Sequence, residues 1–139
     1  MKTKYSQLLK VKKQKVDSIE NEIAFLNAKK NSIKKEKEKL EKEIKSLDKP
    51  KKGKFDIFLS VSYSFDSLFA FKKEKELLLK HTEFELSQKQ NEYKKALVEY
   101  EKIKYLEDLE IEKKLDKIKK DEQKLLDEMS VVTYKRRNF

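Results

Sequence analysis

The chain contains a single proline and a single glycine, and they lie three positions apart. Pro50 and Gly53 separate two long segments rich in Lys, Glu and Leu, residue types that favour the α-helix. Proline ends a helix because it has no amide hydrogen and clashes with the preceding turn, and glycine supplies the backbone angles of a bend. The pattern therefore predicts an all-α protein with helix 1 over about residues 3–48, a turn over 49–54, and a second helix reaching about residue 135.

The apolar content is too small for a thick globular core. Of the 139 residues, 45% are charged and 37% are hydrophobic. A thin core between long helices needs less apolar surface. We therefore expect residues 1–139 to form one domain, an antiparallel coiled-coil hairpin of two unequal helices.

The first segment carries a heptad repeat, whose core positions a and d we call the seam. It runs over six heptads, interrupted only by Lys12, Lys30 and Lys37. Buried lysines cost stability unless their ammonium groups reach water or a carboxylate, so Lys30 and Lys37 are expected to fix the register or the pairing partner. Tyr5 begins the seam, and the other apolar positions are Leu9, Val16, Ile19, Ile23, Leu26, Ile33, Leu40, Ile44 and Leu47.

The aromatic segment, residues 55–71, follows the predicted turn. Its partial alternation permits a short strand, but a lone strand would have no partner, so helix is favoured from about Phe58. The aromatic side chains are expected to form a wider plug of core. Asp56, Asp66 and four serines make the segment too polar, and it is too short, for a membrane span.

The second helix carries two apolar registers. Leu86, Tyr93, Leu97 and Tyr100 form the first, and Ile111 begins the second eleven residues later, which predicts a stutter. Equal counting from the turn places Leu47 opposite about Ile57 and Tyr5 opposite about Tyr100.

Residues 104–135 would then project as a single helix with an unpaired apolar surface. Three interpretations stay open for this surface: a binding site, a self-association seam, or a misjudged pairing. We call it the terminal stripe, and it consists of Ile111, Leu115, Ile118, Leu125, Met129 and Val132.

Several classes of function are disfavoured by what the chain lacks. It has no cysteine, one histidine and one glycine, so no thiolate metal site, catalytic triad or phosphate-cradling loop can be assembled, and we expect no enzyme and no cofactor. His81 is expected to pair along its helix with Glu85.

The formal charge is +10, and residues 1–54 contain 18 Lys against eight acidic residues. Interleaved acids and the absence of arginine before Arg136 argue against nucleic acid as the partner.

The sequence of the last helix resembles a known family. Glu-Gln-Lys-Leu-Leu-Asp-Glu-Met at 122–129, with Tyr134 and Arg136-Arg137 beyond it, is similar to the C-terminal signature of the flagellar FliJ family. Upstream, the spacing of Tyr93, Ala96, Glu99, Lys102 and Leu106-Glu-Asp-Leu109 looks like that of the family, and the similarity at Tyr5, Leu8-Leu-Lys10, Asp17 and Glu20 is weaker.

The resemblance implies a cytoplasmic stalk, peripheral at the cytoplasmic face of the flagellar type III export apparatus. Its implied partners are the hexameric export ATPase, which it helps to assemble, the export gate protein FlhA, and export chaperones, with no membrane insertion. It also implies that Glu122, Gln123, Asp127 and Glu128 face a partner. The alternatives are a structural scaffold or homodimer of another secretion or cytoskeletal system, and a basic binder of nucleic acid or membrane surfaces.

Overall fold

The computed structural model of the chain describes residues 2–47 and 55–138. Helix α1 spans Ser6–Ser46, helix α2 spans Phe55–Asn138, and the described residues contain no strand. The predicted all-α fold class with two unequal helices is confirmed, and α2 is the longer. The predicted turn, with Pro50 and Gly53, lies outside the described residues.

The chain divides into two compact units. Unit 1 comprises Met1–Val16 and Lys95–Phe139, and unit 2 comprises Asp17–Lys94. Both contain antiparallel helical segments. In unit 1, Thr3 contacts Glu107 and Lys12 contacts Glu99. In unit 2, Glu22 contacts Lys89 and Lys37 contacts Glu76. A single-domain hairpin stays a prediction.

The core of unit 2 is a narrow line of side chains. Ile19, Leu26 and Ile33 of α1 are buried, as are Thr82 and Leu86 of α2. On α2 one series of residues with reduced exposure recurs at alternating steps of three and four, which is the spacing of a coiled-coil contact face. The series is Val61, Phe65, Leu68, Lys72, Lys75, Leu79, Thr82, Leu86, Lys89 and Tyr93.

Lysines within the packed line of unit 2 reach carboxylates on the other helix. A lysine stem can pack on apolar side chains while its ammonium group remains at the edge of the core, where the charge stays partly hydrated. The side chains of these lysines are between 26% and 34% exposed. The pairs are Lys30–Glu83 at 4.0 Å, Lys37–Glu76 at 3.7 Å, Lys72–Glu41 at 3.8 Å, Lys75–Glu36 at 2.6 Å and Lys89–Glu22 at 2.8 Å.

In unit 1 the start of α1 is held by a set of hydroxyl contacts. The amide of Tyr5 donates to Thr3 Oγ1 at 3.2 Å, and the amide of Thr3 donates to Ser6 Oγ at 2.9 Å. These reciprocal contacts satisfy amides that a helix leaves unpaired at its first turn. Thr3 Oγ1 and Ser6 Oγ also donate to Glu107 Oε2 of α2, at 3.2 and 3.3 Å. Glu107 therefore fixes where α1 begins along α2.

The register obtained by equal counting from the turn is wrong by about two helical turns. Leu47 lines a surface depression with Tyr63, Ser64 and Leu68 rather than lying opposite Ile57. Near the start of α1, Thr3 contacts Glu107. Tyr100 lies near Lys13 rather than Tyr5, with 5.8 Å between the Lys13 ammonium and the centre of the Tyr100 ring. Equal counting assumed that the first turns of α2 pair with α1, whereas every side chain from residue 55 to 60 is exposed.

The aromatic segment is helical from Phe55 onward, but its aromatics do not form the expected plug of core. Phe55, Phe58, Tyr63, Phe69 and Phe71 are all at least half exposed. Phe65 is half-buried and stacks on Phe69, with 6.1 Å between ring centres.

The predicted stutter lies at the boundary between the packed face of unit 1 and the terminal stripe, because the stripe begins at Ile111, one residue out of step with the packed position Glu110. The same alternating steps of three and four continue through Ala96, Tyr100, Ile103, Glu107 and Glu110, all with reduced exposure. The apolar pattern breaks because the last two of these positions hold glutamates, one of which accepts the hydroxyls of Thr3 and Ser6.

Candidate partner-binding surface

The terminal stripe lies on a part of α2 whose side chains are open to solvent. Every side chain from residue 112 to 137 is exposed, and Ile111 is half-buried. The exposed fraction is 50% for Leu115, 46% for Ile118, 57% for Leu125, 58% for Met129 and 54% for Val132. Because these apolar residues repeat along one helix, they form an extended hydrophobic surface rather than scattered exposed side chains.

The stripe keeps the spacing of a coiled-coil seam. Its members are separated by alternating steps of four and three residues once Glu122 is counted between Ile118 and Leu125. At 3.6 residues per turn, such positions share one side of a helix. The stripe therefore has the form of one half of a helix–helix interface, with a carboxylate at its middle.

The four polar residues proposed from the resemblance do not share one side of the helix. Glu122 lies within the stripe, whereas Asp127 lies on the opposite side of the helix by helical spacing. Gln123 Nε2 donates to Asp127 Oδ1 at 3.1 Å, a contact along the surface of the same helix. Glu128 flanks the stripe. Of the four, Glu122 has the position best suited to contact a helix that packs on the stripe.

The first turns of the stripe border a shallow depression of about 500 Å³. It is lined by Ile111, Leu115 and Ile118 together with charged residues of both signs, Asp108, Glu112, Asp116 and Lys119. On the same stretch of helix, Glu110 and Lys114 pair at 3.7 Å. An apolar floor with a mixed-charge rim is the usual composition of a protein-binding surface.

Three exposed apolar residues near the stripe were missed by the heptad analysis. Leu126 is 58% exposed and borders the stripe, and Val131 and Tyr134 are 54% and 69% exposed on other sides of the helix. Leu126 adjoins Leu125 in sequence, and a search that included the positions flanking a and d would have found it.

His81 is paired as the sequence predicts. Its Nε2 lies 2.7 Å from Glu85 Oε1, one turn along α2, and its side chain is 64% exposed.

These features define a class of protein: an α-helical coiled-coil protein whose longer helix carries an exposed apolar stripe. The sequence matches the family model described as Flagellar FliJ protein over residues 1–139. The chain therefore belongs to the FliJ family. Members of this family are structural components of the flagellar export apparatus rather than enzymes. Searches of curated proteins and of solved structures each find no match. In the parts of the chain that the structure describes, neither α1 nor α2 contains a segment with the length and hydrophobicity that a membrane span requires.

Proposed function

We propose that this FliJ-family chain binds the hexameric flagellar export ATPase through the terminal stripe and thereby promotes assembly of the ring and ATP hydrolysis. The observation that carries the proposal is the run of half-exposed apolar side chains from Leu115 to Val132 on a helix whose side chains are exposed on all sides there. The export gate protein FlhA and export chaperones are proposed as further partners at the cytoplasmic face of the apparatus.

The chemistry of the stripe supports a helical or grooved protein partner. Covering a half-exposed Leu, Ile or Met contributes about 1–2 kcal/mol before the costs of association, so five such residues are enough for a specific contact. A helix packing on alternating steps of three and four residues would take up all five at once. Glu122 at the middle requires a hydrogen-bond donor or a cation from the partner, because a buried unpaired carboxylate is costly.

The experiment adds the full chain to the purified export ATPase and measures ATP hydrolysis and ring assembly. The unaltered chain is expected to increase both. Leu125→Asp and Val132→Asp should reduce the increase at least about tenfold at limiting concentration, because each buries a charge in the contact. The matched control is Val131→Asp, since Val131 and Val132 are equally exposed at 54% but lie on different sides of the helix.

The polar positions give a second, finer comparison. Glu122→Ala is expected to reduce activation, while Asp127→Ala should leave it within about twofold, because a residue away from the contact is energetically neutral. If all the Asp variants at 125, 131 and 132 activate as well as the unaltered chain, the terminal stripe is not the ATPase contact. If the unaltered chain has no effect on the ATPase, the proposed function itself is wrong.

A further inference from the structure

A second exposed surface runs along the first half of α2, within unit 2. Residues recurring from 55 to 84 at steps of three or four fall within about 80° of arc around the helix. We call this surface the outer face. Its apolar members are Phe55, Leu59, Phe69, Leu77 and Phe84, and all are exposed, from 46% for Leu59 to 71% for Phe55. Its polar members are Ser62, Asp66, Lys73 and Lys80, also exposed.

The outer face is separate from the side of α2 that packs on α1. Leu68, Lys72 and Leu79 mark the packed side, and the outer face is rotated from it by about a third of a turn. Within residues 2–47 and 55–138, none of Asp66, Lys73 and Lys80 takes part in an ion pair. The face therefore presents apolar side chains, one unmatched carboxylate and two unmatched ammonium groups to solvent.

We propose that the outer face binds the outer face of a second copy of this chain in an antiparallel, twofold-symmetric helix pair. The argument is the internal complementarity of the face when it is reversed on itself. A twofold axis near Phe69 and Ala70 places Asp66 opposite Lys73 of the second copy, and, by symmetry, Lys73 opposite the second Asp66. Two ion pairs thus flank the axis.

The same register also brings phenylalanines of the two copies together at both ends and at the axis. Phe55 meets Phe84 of the second copy at each end, Ser62 meets Leu77, and the two Phe69 side chains meet at the axis. Leu59 lies against the aliphatic stem of Lys80, whose ammonium group reaches water. An antiparallel pair of this kind is isologous, so each contact occurs twice.

The parallel alternative is electrostatically unfavourable. It would set Asp66 against Asp66, Lys73 against Lys73 and Lys80 against Lys80, and like charges opposed across a contact are destabilising. The terminal stripe is a poorer site for a second copy, since full overlap in either direction places Glu122 against Glu122. The reversed outer face is the arrangement that pairs opposite charges.

The available area is sufficient for a weak dimer. The three phenylalanines and two leucines expose about 500 Å² of side-chain surface per copy, so about 1,000 Å² of apolar surface would be covered in total. This is at the low end of specific interfaces, before the polar members are included. We expect a dissociation constant in the micromolar range.

Sedimentation equilibrium of the full chain, from about 1 to about 100 µM, tests the proposal. A monomer–dimer equilibrium is expected. Asp66→Lys alone and Lys73→Asp alone should each weaken dimerisation at least about tenfold, because both ion pairs become repulsive. Mixing the two variants restores both attractive pairs and should return the affinity to within about threefold of the unaltered chain. Circular dichroism of each variant checks that these exposed substitutions leave the helices intact.

Cysteine cross-linking tests the direction of the pair, because the chain has no cysteine of its own. Ala70→Cys lies beside the twofold axis and should form a disulfide dimer under mild oxidation, whereas Lys80→Cys should not. A monomer at all concentrations, failure of the charge-swapped mixture to associate, or cross-linking through Lys80→Cys but not Ala70→Cys would overturn the proposal.

Discussion

Thr82 shows how a single polar residue is accommodated in a narrow core. It is fully buried, and its hydroxyl donates to the carbonyl of Leu78, one turn earlier in α2, at 2.9 Å. That carbonyl belongs to the same helix, so the hydroxyl has a hydrogen-bond acceptor but does not link the two helices. Such a contact removes the cost of burial but adds little stability.

We therefore expect Thr82→Val to leave the free energy of unfolding unchanged or to raise it by up to about 1 kcal/mol, since it removes a buried hydroxyl and preserves the shape. The matched control is Thr133→Val. Thr133 makes the same kind of contact, to Met129 at 2.9 Å, but is exposed, so its change should stay within about 0.5 kcal/mol. Urea unfolding measures both, and a loss above about 1 kcal/mol at Thr82 would mean that the hydroxyl stabilises the helix pair.

Buried apolar residues could be predicted from the sequence, whereas charged residues on the packed side of α2 could not. Val16, Ile19, Leu26 and Ile33 lie at the heptad positions assigned to them and are buried, because an unbroken apolar period has one low-energy arrangement. Lys72, Lys75 and Lys89 occupy equivalent positions on α2 but were not recognised, since an apolar search excludes lysine. Glu107 and Glu110 were not recognised for the same reason.

At the scale of a helix, the same type of side chain has two different energetic roles. Ile33 of α1 is 4% exposed, and Ile118 of the terminal stripe is 46% exposed. Ile33→Ala should lower the free energy of unfolding by about 2–4 kcal/mol, because it removes buried methylenes and leaves a cavity. Ile118→Ala should change it by less than about 0.5 kcal/mol. Comparable losses at both positions, measured by urea unfolding, would show that the terminal stripe is covered in the isolated chain.

The ion pairs between the helices give the fold a dependence on alkaline pH. A hydrogen bond to Glu36 raises the pKa of Lys75 above its ordinary value of 10.5, and hydrogen bonds to Glu22 and Glu92 raise that of Lys89. A raised pKa in the folded chain means that the ammonium form stabilises folding. This stabilisation is fully present below pH 10.5 and is lost as the pH rises through the folded pKa.

The double variant Lys75→Arg with Lys89→Arg tests this dependence, because guanidinium groups stay charged at high pH. Thermal unfolding followed by circular dichroism between pH 9 and 12 should show a smaller decrease in the melting temperature for the double variant than for the unaltered chain. The remaining lysines titrate in both proteins and cancel in the comparison. Identical decreases would mean that these two pairs contribute nothing to the pH dependence.

Across the whole molecule, the part predicted least well is where pairing begins and ends. The heptads specify which side of a helix is packed, but they leave open which turn of α2 faces which turn of α1. That choice depends on polar contacts such as Thr3 and Ser6 with Glu107, which have no signature in an apolar pattern. The aromatic segment was predicted to form core because Phe and Tyr are often buried, but here most of its aromatic side chains are exposed.

The difference between packed and exposed parts should be visible in amide hydrogen exchange. Residues 16–33 and 82–96 contain the buried side chains, so opening their helices exposes apolar surface and is costly. From residue 112 to 137 every side chain is exposed, and opening there loses only local helix contacts. We expect amides of 112–137 to exchange at least about a hundredfold faster than those of 16–33. Adding the export ATPase should slow exchange around Leu115 to Val132 more than around 16–33. Equal protection in the free chain would mean that the terminal helix is packed against another surface, and the terminal stripe would then be unavailable to a partner.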